Sequence, residues 1–318
     1  MGENYGADHG PHPSGASTLT LGKGVAMVER VKVDEATVAA LVADQFPQWA
    51  DLIVSRVRPG GVNNRTFRLG ERLLARMPAA AHYVAAVEKE QTWLPRLAAQ
   101  LPLPIPSPLA LGAPGHGYPF PWSVCAWIKG ETVAAADGLD HRLLAEDLAD
   151  FLLALHAIDA GDGPAAGAHN FHRGGDPAVY EGEVRAAVET LGDQIDGAAA
   201  LALWEAALAT SWDRPPVWIH GDVAPGNLLV ADGRLSAVID FGTCGVGDPA
   251  CDLAFAWTYL DETARETFRK RLGLDDACWL RGQAWALWKA LIVVAGAPGV
   301  HTHERDLHLR ALKRLGVM

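Results

Sequence analysis

No apolar run in this sequence approaches the roughly 20 residues that a bilayer-spanning helix needs. The best candidate, Ala290 to Ala295, is short and follows Lys289. The first residues are rich in Gly, His and Ser and have no apolar core, which argues against a secretory leader. The expectation is a cytoplasmic protein without a membrane partner. Cysteine is scarce. Cys125, Cys244, Cys251 and Cys278 form no C-x-x-C pair, so buried reduced thiols are expected in place of a disulfide framework or a thiolate metal site. The 12 histidines are scattered, with no H-E-x-x-H arrangement. Positive charge is in deficit, with 27 Lys and Arg against 38 Asp and Glu and a net charge of −11. Nucleic-acid binding relies on Lys and Arg patches, so nucleic acid is not an expected partner. The acidic balance would draw a cationic small molecule to an acidic cleft, and it is equally what solubility alone would require. No internal repeat or coiled-coil heptad run is visible.

What is present fits a globular chain of two lobes. At 318 residues the chain can bury two cores. Residues 1–24 lack hydrophobic periodicity and are expected to be disordered. Asp34 is placed to cap a helix, DEATVAALVADQF. From Leu52 to Met77 the pattern is of strands: LIVSRVR, a turn containing Pro59, Gly60, Gly61 and Asn63, then TFRLG and LLARM. A glycine-containing turn between strands can lie over phosphates, because its backbone N–H groups face the ligand and Gly permits close approach. It is also an ordinary hairpin turn. VEKEQTWLPRL reads as a helix, LPLPIPSP as an extended connection that alternating prolines keep out of a helix, GAPGHGYPFP as a loop and WSVCAWI as an apolar strand. HRLLAEDLADFLLALHAI is an amphipathic helix. Ala178 to Ser211 reads as two helices broken around Gly192 to Gly197. Glu262 to Gly273, Trp279 to Ala295 and His303 to Leu315 read as closing helices.

The organising stretch is Val217 to Leu253. His220-Gly221-Asp222 follows the apolar VWI, and Asn227 leads into LLV. Asp232-Gly233 is a two-residue hairpin turn, and AVI delivers Asp240-Phe241-Gly242. The loop before the first strand should lie close to the end of the second, so Asp222, Asn227 and Asp240 are expected to converge. Two carboxylates and an amide oxygen suit Mg²⁺, with one carboxylate left as a base. Asp248 before Pro249 reads as an N-cap with Pro at N1.

These residues resemble the core of the aminoglycoside phosphotransferase family, a branch of the protein-kinase-like fold. His220, Gly221, Asp222 and Asn227 match H-G-D-x-x-x-x-N. Asp240, Phe241 and Gly242 match a D-F-G-type metal loop, and Asp248, Pro249, Asp252 and Leu253 match D-P-x-x-D-L. The resemblance implies an α+β, bilobal fold: an N-lobe over 25–128 with an antiparallel sheet and a helix, and a mostly helical C-lobe over 129–318. It implies an ATP- or GTP-dependent phosphotransferase with Mg²⁺ and a small-molecule acceptor, of aminoglycoside type and therefore cationic. It does not imply an oligomeric state. Asp222 would be the catalytic base, and Asn227 and Asp240 the metal ligands. Gly60, Gly61 and Asn63, with Arg76, Glu90 and the backbone of Ala126 and Ile128, would hold the nucleotide. Arg76 departs from the family pattern, which has Lys there. Glu90 matches the helix Glu that pairs with it, with Glu88 the fallback. His220 is expected to support the loop. Kinases of other small alcohols (macrolides, sugars, choline- or homoserine-like metabolites) and a nucleotide-binding pseudokinase remain open.

Overall fold

The computed structural model describes residues 30–58, 64–297 and 304–318. The proposed disordered segment over 1–24 and the turn residues Gly60, Gly61 and Asn63 lie outside these. Asp34 caps the first helix as its sequence suggests: its side chain accepts from the Thr37 N–H, and α1 spans Glu35–Gln45. Val38, Leu41 and Val42 make its buried face. Strands β1 (Val54–Arg56), β2 (Asn64–Leu69) and β3 (Leu73–Pro78) follow. Helix α2 (Val84–Ala98) leads to β4 (Pro108–Gly112) and β5 (Trp122–Ala126). The five strands form one antiparallel sheet in the order β1-β2-β3-β5-β4. Within it Arg76 pairs with Thr66 on one side and Ser123 on the other. One small core sits between α1 and this sheet and includes Phe67, Leu69, Met77 and Trp122.

Strand β4 has no counterpart among the elements expected from the sequence. It is an edge strand that opens on Pro108, where the missing N–H costs the ladder nothing on its open side. The strands read from LIVSRVR and WSVCAWI are shorter than their apolar runs, because β1 stops at Arg56 and β5 at Ala126.

Beyond Ala126 a short β6 (Glu131–Thr132) pairs with β8 (Leu228–Ala231). Helix α3 (His141–Ala157) begins at the Asp140 cap and buries Leu144, Leu148, Phe151, Leu152 and Leu155. Helices α4 (Glu181–Leu191) and α5 (Gly197–Leu208) are the expected broken pair. Strand β7 (Val217–Ile219), β8, β9 (Arg234–Val238) and β10 (Gly245–Gly247) carry the motif stretch. Helices α6 (Phe255–Thr258), α7 (Glu262–Leu272), α8 (Asp276–Val294) and α9 (Arg305–Arg314) complete the chain. α8 begins before the expected Trp279, because Asp275 supplies its cap by accepting from the Cys278 N–H. The larger core joins α3, α5, α8, β8 and β9, and takes in Leu94 and Leu97 of α2. Cys125, Cys244, Cys251 and Cys278 are all buried and unbridged. Burial pushes the Cys125 and Cys244 thiols up to about 12, as expected of inert core thiols. Among the described residues no helix is long and apolar enough to cross a membrane.

Candidate active site

The β8–β9 hairpin is the foundation of the site. Its turn residues Asp232 and Gly233 both have positive φ, 52° and 74°, the requirement of a tight two-residue hairpin turn. The antiparallel register sets Leu228 opposite Val238. The residues just before β8 and just after β9 therefore meet, and the Ile239 N–H donates to the Asn227 carbonyl at 2.8 Å.

The loop before β8 is held by its own backbone and by two buried side chains. Gly221 has φ +83°, and a Cβ there would come within 2.6 Å of the Thr243 carbonyl, so this position needs glycine. Asp252 is fully buried and accepts from the N–H groups of His220 at 2.8 Å and Gly221 at 2.7 Å. Burial pushes its carboxyl above the usual range, against the pull of His220 and those two bonds. The His220 ring spans the loop. Nε2 lies 2.9 Å from the Ile239 carbonyl, and Nδ1 3.2 Å from the Asp222 N–H. Both contacts are satisfied only if Nε2 carries the proton and Nδ1 accepts. His220 is thus a strut between the two halves of the site.

Asp222 emerges from this frame partly exposed. The Asn227 amide donates to the Asp222 carbonyl at 2.9 Å and to Asp222 Oδ2 at 3.2 Å. That orientation turns Asn227 Oδ1 away from Asp222 and leaves it as a hard-oxygen ligand. Asp240 has a left-handed backbone, φ 64° and ψ 65°, a conformation costing on the order of 1–3 kcal/mol for a residue with a side chain. Phe241, fully buried and edge-on to His220 at 4.6 Å, anchors the turn. The hairpin thus sets Asn227 beside Asp222 and beside Ile239, the residue that leads into Asp240. Among the described residues no cluster of three or more His, Cys, Asp or Glu side chains forms a metal cage. The Asp240 carboxylate and the Asn227 amide offer hard oxygen donors of the kind that suit Mg²⁺.

The N-lobe reaches the same point through Arg76. Its Nη1 donates to Glu90 Oε2 at 2.8 Å and its Nη2 to Asp240 Oδ1 at 2.9 Å. Burial opposes the Arg76 charge, but Glu90 and Asp240 outweigh it and hold the guanidinium protonated. Glu90 is the paired acid, with 4% exposure, whereas Glu88 is exposed. Glu90 Oε1 is buried without a partner. Ala126 ends β5 and Ile128 lies two residues on, in the connection between the lobes. The Ala126 and Trp127 N–H groups are engaged by the Ser107 and Arg72 carbonyls.

Asp248 caps the turn that begins at Pro249, accepting from the Ala250 N–H at 3.0 Å. It also pairs with the buried Arg281 of α8 at 2.6 Å, which sequence spacing could not show. Two acids of α4 are engaged in structure. Glu181 pairs with Arg185, and Glu183 accepts from the Trp288 indole at 2.8 Å. Trp285 and Trp288 pack edge-on with ring centroids 5.8 Å apart, with Arg173 against both rings at 5.0 and 4.6 Å. Arg173 donates to the Gly221 carbonyl at 3.0 Å. Lys289, one residue on, is largely buried, which lowers its amine's pKa, while Asp222 pulls it up. Arg173, Lys289 and Lys89 are the site-side groups that sequence reading missed, since none belongs to a motif.

A family model described as the phosphotransferase enzyme family matches residues 55–291. An aminoglycoside 3'-phosphotransferase from Escherichia coli is 30% identical over 165 residues, which span 49% of this chain and 59% of that protein. The match thus covers about three fifths of that relative's length. Among solved structures, the GDP complex of aminoglycoside 2'-phosphotransferase-IIIa superposes with a TM-score of 0.63 at 18% identity, covering 89% of this chain and 98% of the other. The apoenzyme of a macrolide 2'-phosphotransferase from Brachybacterium faecium does so with a TM-score of 0.57 at 23% identity, covering 88% and 97%. At these identities the structural likeness is one of fold.

Proposed function

We propose that this chain, which belongs to the phosphotransferase enzyme family, transfers the γ-phosphate of ATP or GTP to a hydroxyl of a small molecule. The observation that carries this reading is the meeting of three elements at one point. Asp222 and Asn227 share a hydrogen bond at 3.2 Å, Ile239 ties Asp240 to them, and Arg76 joins Asp240 to the N-lobe at 2.9 Å. Phosphoryl transfer needs positioning and charge neutralisation more than covalent chemistry.

In this scheme Asp222 orients the acceptor hydroxyl and takes its proton. Asn227 Oδ1 and the Asp240 carboxylate would hold Mg²⁺, which when bound supplies neutralising charge to the phosphates. Arg76 contacts the α- and β-phosphates and is oriented by Glu90. Gly60, Gly61 and Asn63 would contact the phosphates, and the Ala126 carbonyl and Ile128 N–H would receive the base. His220 and Asp252 keep the loop under Asp222 fixed.

The first acceptor class to test is the aminoglycosides, supported by the Escherichia coli relative. A neutral acceptor, such as a macrolide or another small alcohol, is the second reading. The two cations Arg173 and Lys289 near the Asp222 loop favour it, since they oppose the approach of a polycation. The test is Mg²⁺-dependent release of ADP or GDP with a panel of aminoglycosides, macrolides and small alcohols. Acceptor-dependent release supports phosphotransfer, and the productive acceptor decides between the classes. Nucleotide binding without release for any acceptor would refute it.

A further inference from the structure

One buried group beside the Asp240 segment is an amine. Lys89 stands on α2 beside Glu90 and is only 9% exposed. Burial alone lowers an amine's pKa, and it does so here, while Glu90 and Asp240 pull against it. The ammonium nevertheless has an acceptor for each of its three protons. Nζ donates to the Gly242 carbonyl at 2.8 Å and the Cys244 carbonyl at 2.9 Å, and lies 3.4 Å from His169 Nδ1. His169 Nε2 is 2.8 Å from the Ala165 carbonyl. That contact requires a proton on Nε2, so Nδ1 carries the lone pair that faces Lys89.

The two carbonyls belong to the residues that follow Asp240. Adjacent residues of one helix therefore hold both ends of the same segment. Glu90 reaches the Asp240 side chain through Arg76, and Lys89 grips the backbone just beyond it. We infer that Lys89 is a positioning residue for Asp240, clamping the Gly242 and Cys244 carbonyls so that the loop keeps its carboxylate at the site. This rests on the reading of Asp240 as the metal-holding carboxylate. The backbone of Asp240 is in a left-handed conformation, and such conformations persist only where the surroundings over-determine them. Lys89 supplies that restraint from the N-lobe side, and His169 fixes Lys89 from the C-lobe side.

The experiment compares the full chain with Lys89→Met and with Glu88→Ala, a control on the exposed side of the same helix. Amide hydrogen exchange is read without ligands over residues 241–246. In Lys89→Met these amides should exchange about tenfold faster or more, as expected on losing two charge-assisted hydrogen bonds. The rest of the chain and the control should be unchanged. Exchange over 241–246 that stays at the wild-type rate, or that rises evenly along the whole chain, would overturn the inference. Should Lys89→Met not fold, Lys89→Arg carries the test: it keeps the charge, but its planar fork cannot serve two carbonyls and an imidazole in the same place. With an acceptor that the wild type turns over, kcat should fall about tenfold while the nucleotide KM moves less than about threefold, and half-maximal activity should need more Mg²⁺. Wild-type kcat in Lys89→Met would also overturn it. If the wild type turns over no acceptor, the phosphotransfer reading fails and the exchange result still decides Lys89.

Discussion

Arg76 and Asp240 stand 164 residues apart in sequence and 2.9 Å apart in space, and the same guanidinium holds Glu90 at 2.8 Å. A planar fork can serve two carboxylates at once in fixed directions, and a single ammonium cannot reproduce both contacts in the same geometry. Arg76→Lys should therefore lower kcat by about tenfold and not restore a better enzyme. Steady-state kinetics with the productive acceptor check this, and a faster Lys variant would mean that Arg76 is merely tolerated. Arg76→Ala should also destabilise the fold by about 3–5 kcal/mol, because it leaves the buried Glu90 without its counter-charge. Urea unfolding reads that loss.

Asp222, the proposed base, is partly exposed and takes no part in the core. Asp222→Asn should cost about a thousandfold or more in kcat, while nucleotide affinity and melting temperature stay close to the wild type. Calorimetric nucleotide titration beside turnover separates the two effects. Wild-type turnover in this variant would remove Asp222 from the mechanism.

Asp252 acts at one remove, through the backbone of His220 and Gly221. An amide in its place would set its NH₂ against one of two N–H donors. Asp252→Asn should destabilise the fold by about 1–3 kcal/mol and lower kcat without changing nucleotide KM. Gly221→Ala should mimic the kinetic loss, since its Cβ would press on the Thr243 carbonyl. Loss of stability with full kcat per folded molecule would show that the loop tolerates the shift.

His156, on α3, predicts an acid limb in stability. Burial lowers its pKa to about 4, below the ordinary 6.5. The unfolded chain therefore takes up a proton as pH falls through 6.5, and the folded chain does so only near 4. The stability linked to this group is complete above about pH 6.5 and is lost as pH falls toward 4, on the order of 2 kcal/mol after allowance for its partial exposure. His156→Phe should flatten the fall in melting temperature between pH 7 and pH 5. An unchanged slope would place the acid sensitivity elsewhere.

Much of this site could be read from the chain. Asp232-Gly233 flanked by apolar runs dictates a hairpin, and the hairpin sets Asn227 against Ile239, next to Asp240. Asp34 and Asp248 could be read as caps because capping is local. The long-range partners could not. Lys89, Arg173 and Lys289 lie in ordinary helix or loop sequence, and their roles come from which carbonyls and rings the fold brings to them. β4 was hidden for a related reason. Its Leu109 and Leu111 are exposed at a sheet edge, and a proline-rich approach masks the alternation.

Helix α2 has a consequence for control of the protein. In protein kinases the position of the corresponding helix is a point of regulation. Here Leu94 and Leu97 of α2 are buried, at 0% and 1% exposure, in the larger core that α3 and α8 share. Swinging the helix outward would bring both leucines into water at about 2 kcal/mol each, besides breaking the Glu90 and Lys89 contacts. The larger core therefore holds α2, and with it Glu90 and Lys89, against the C-lobe.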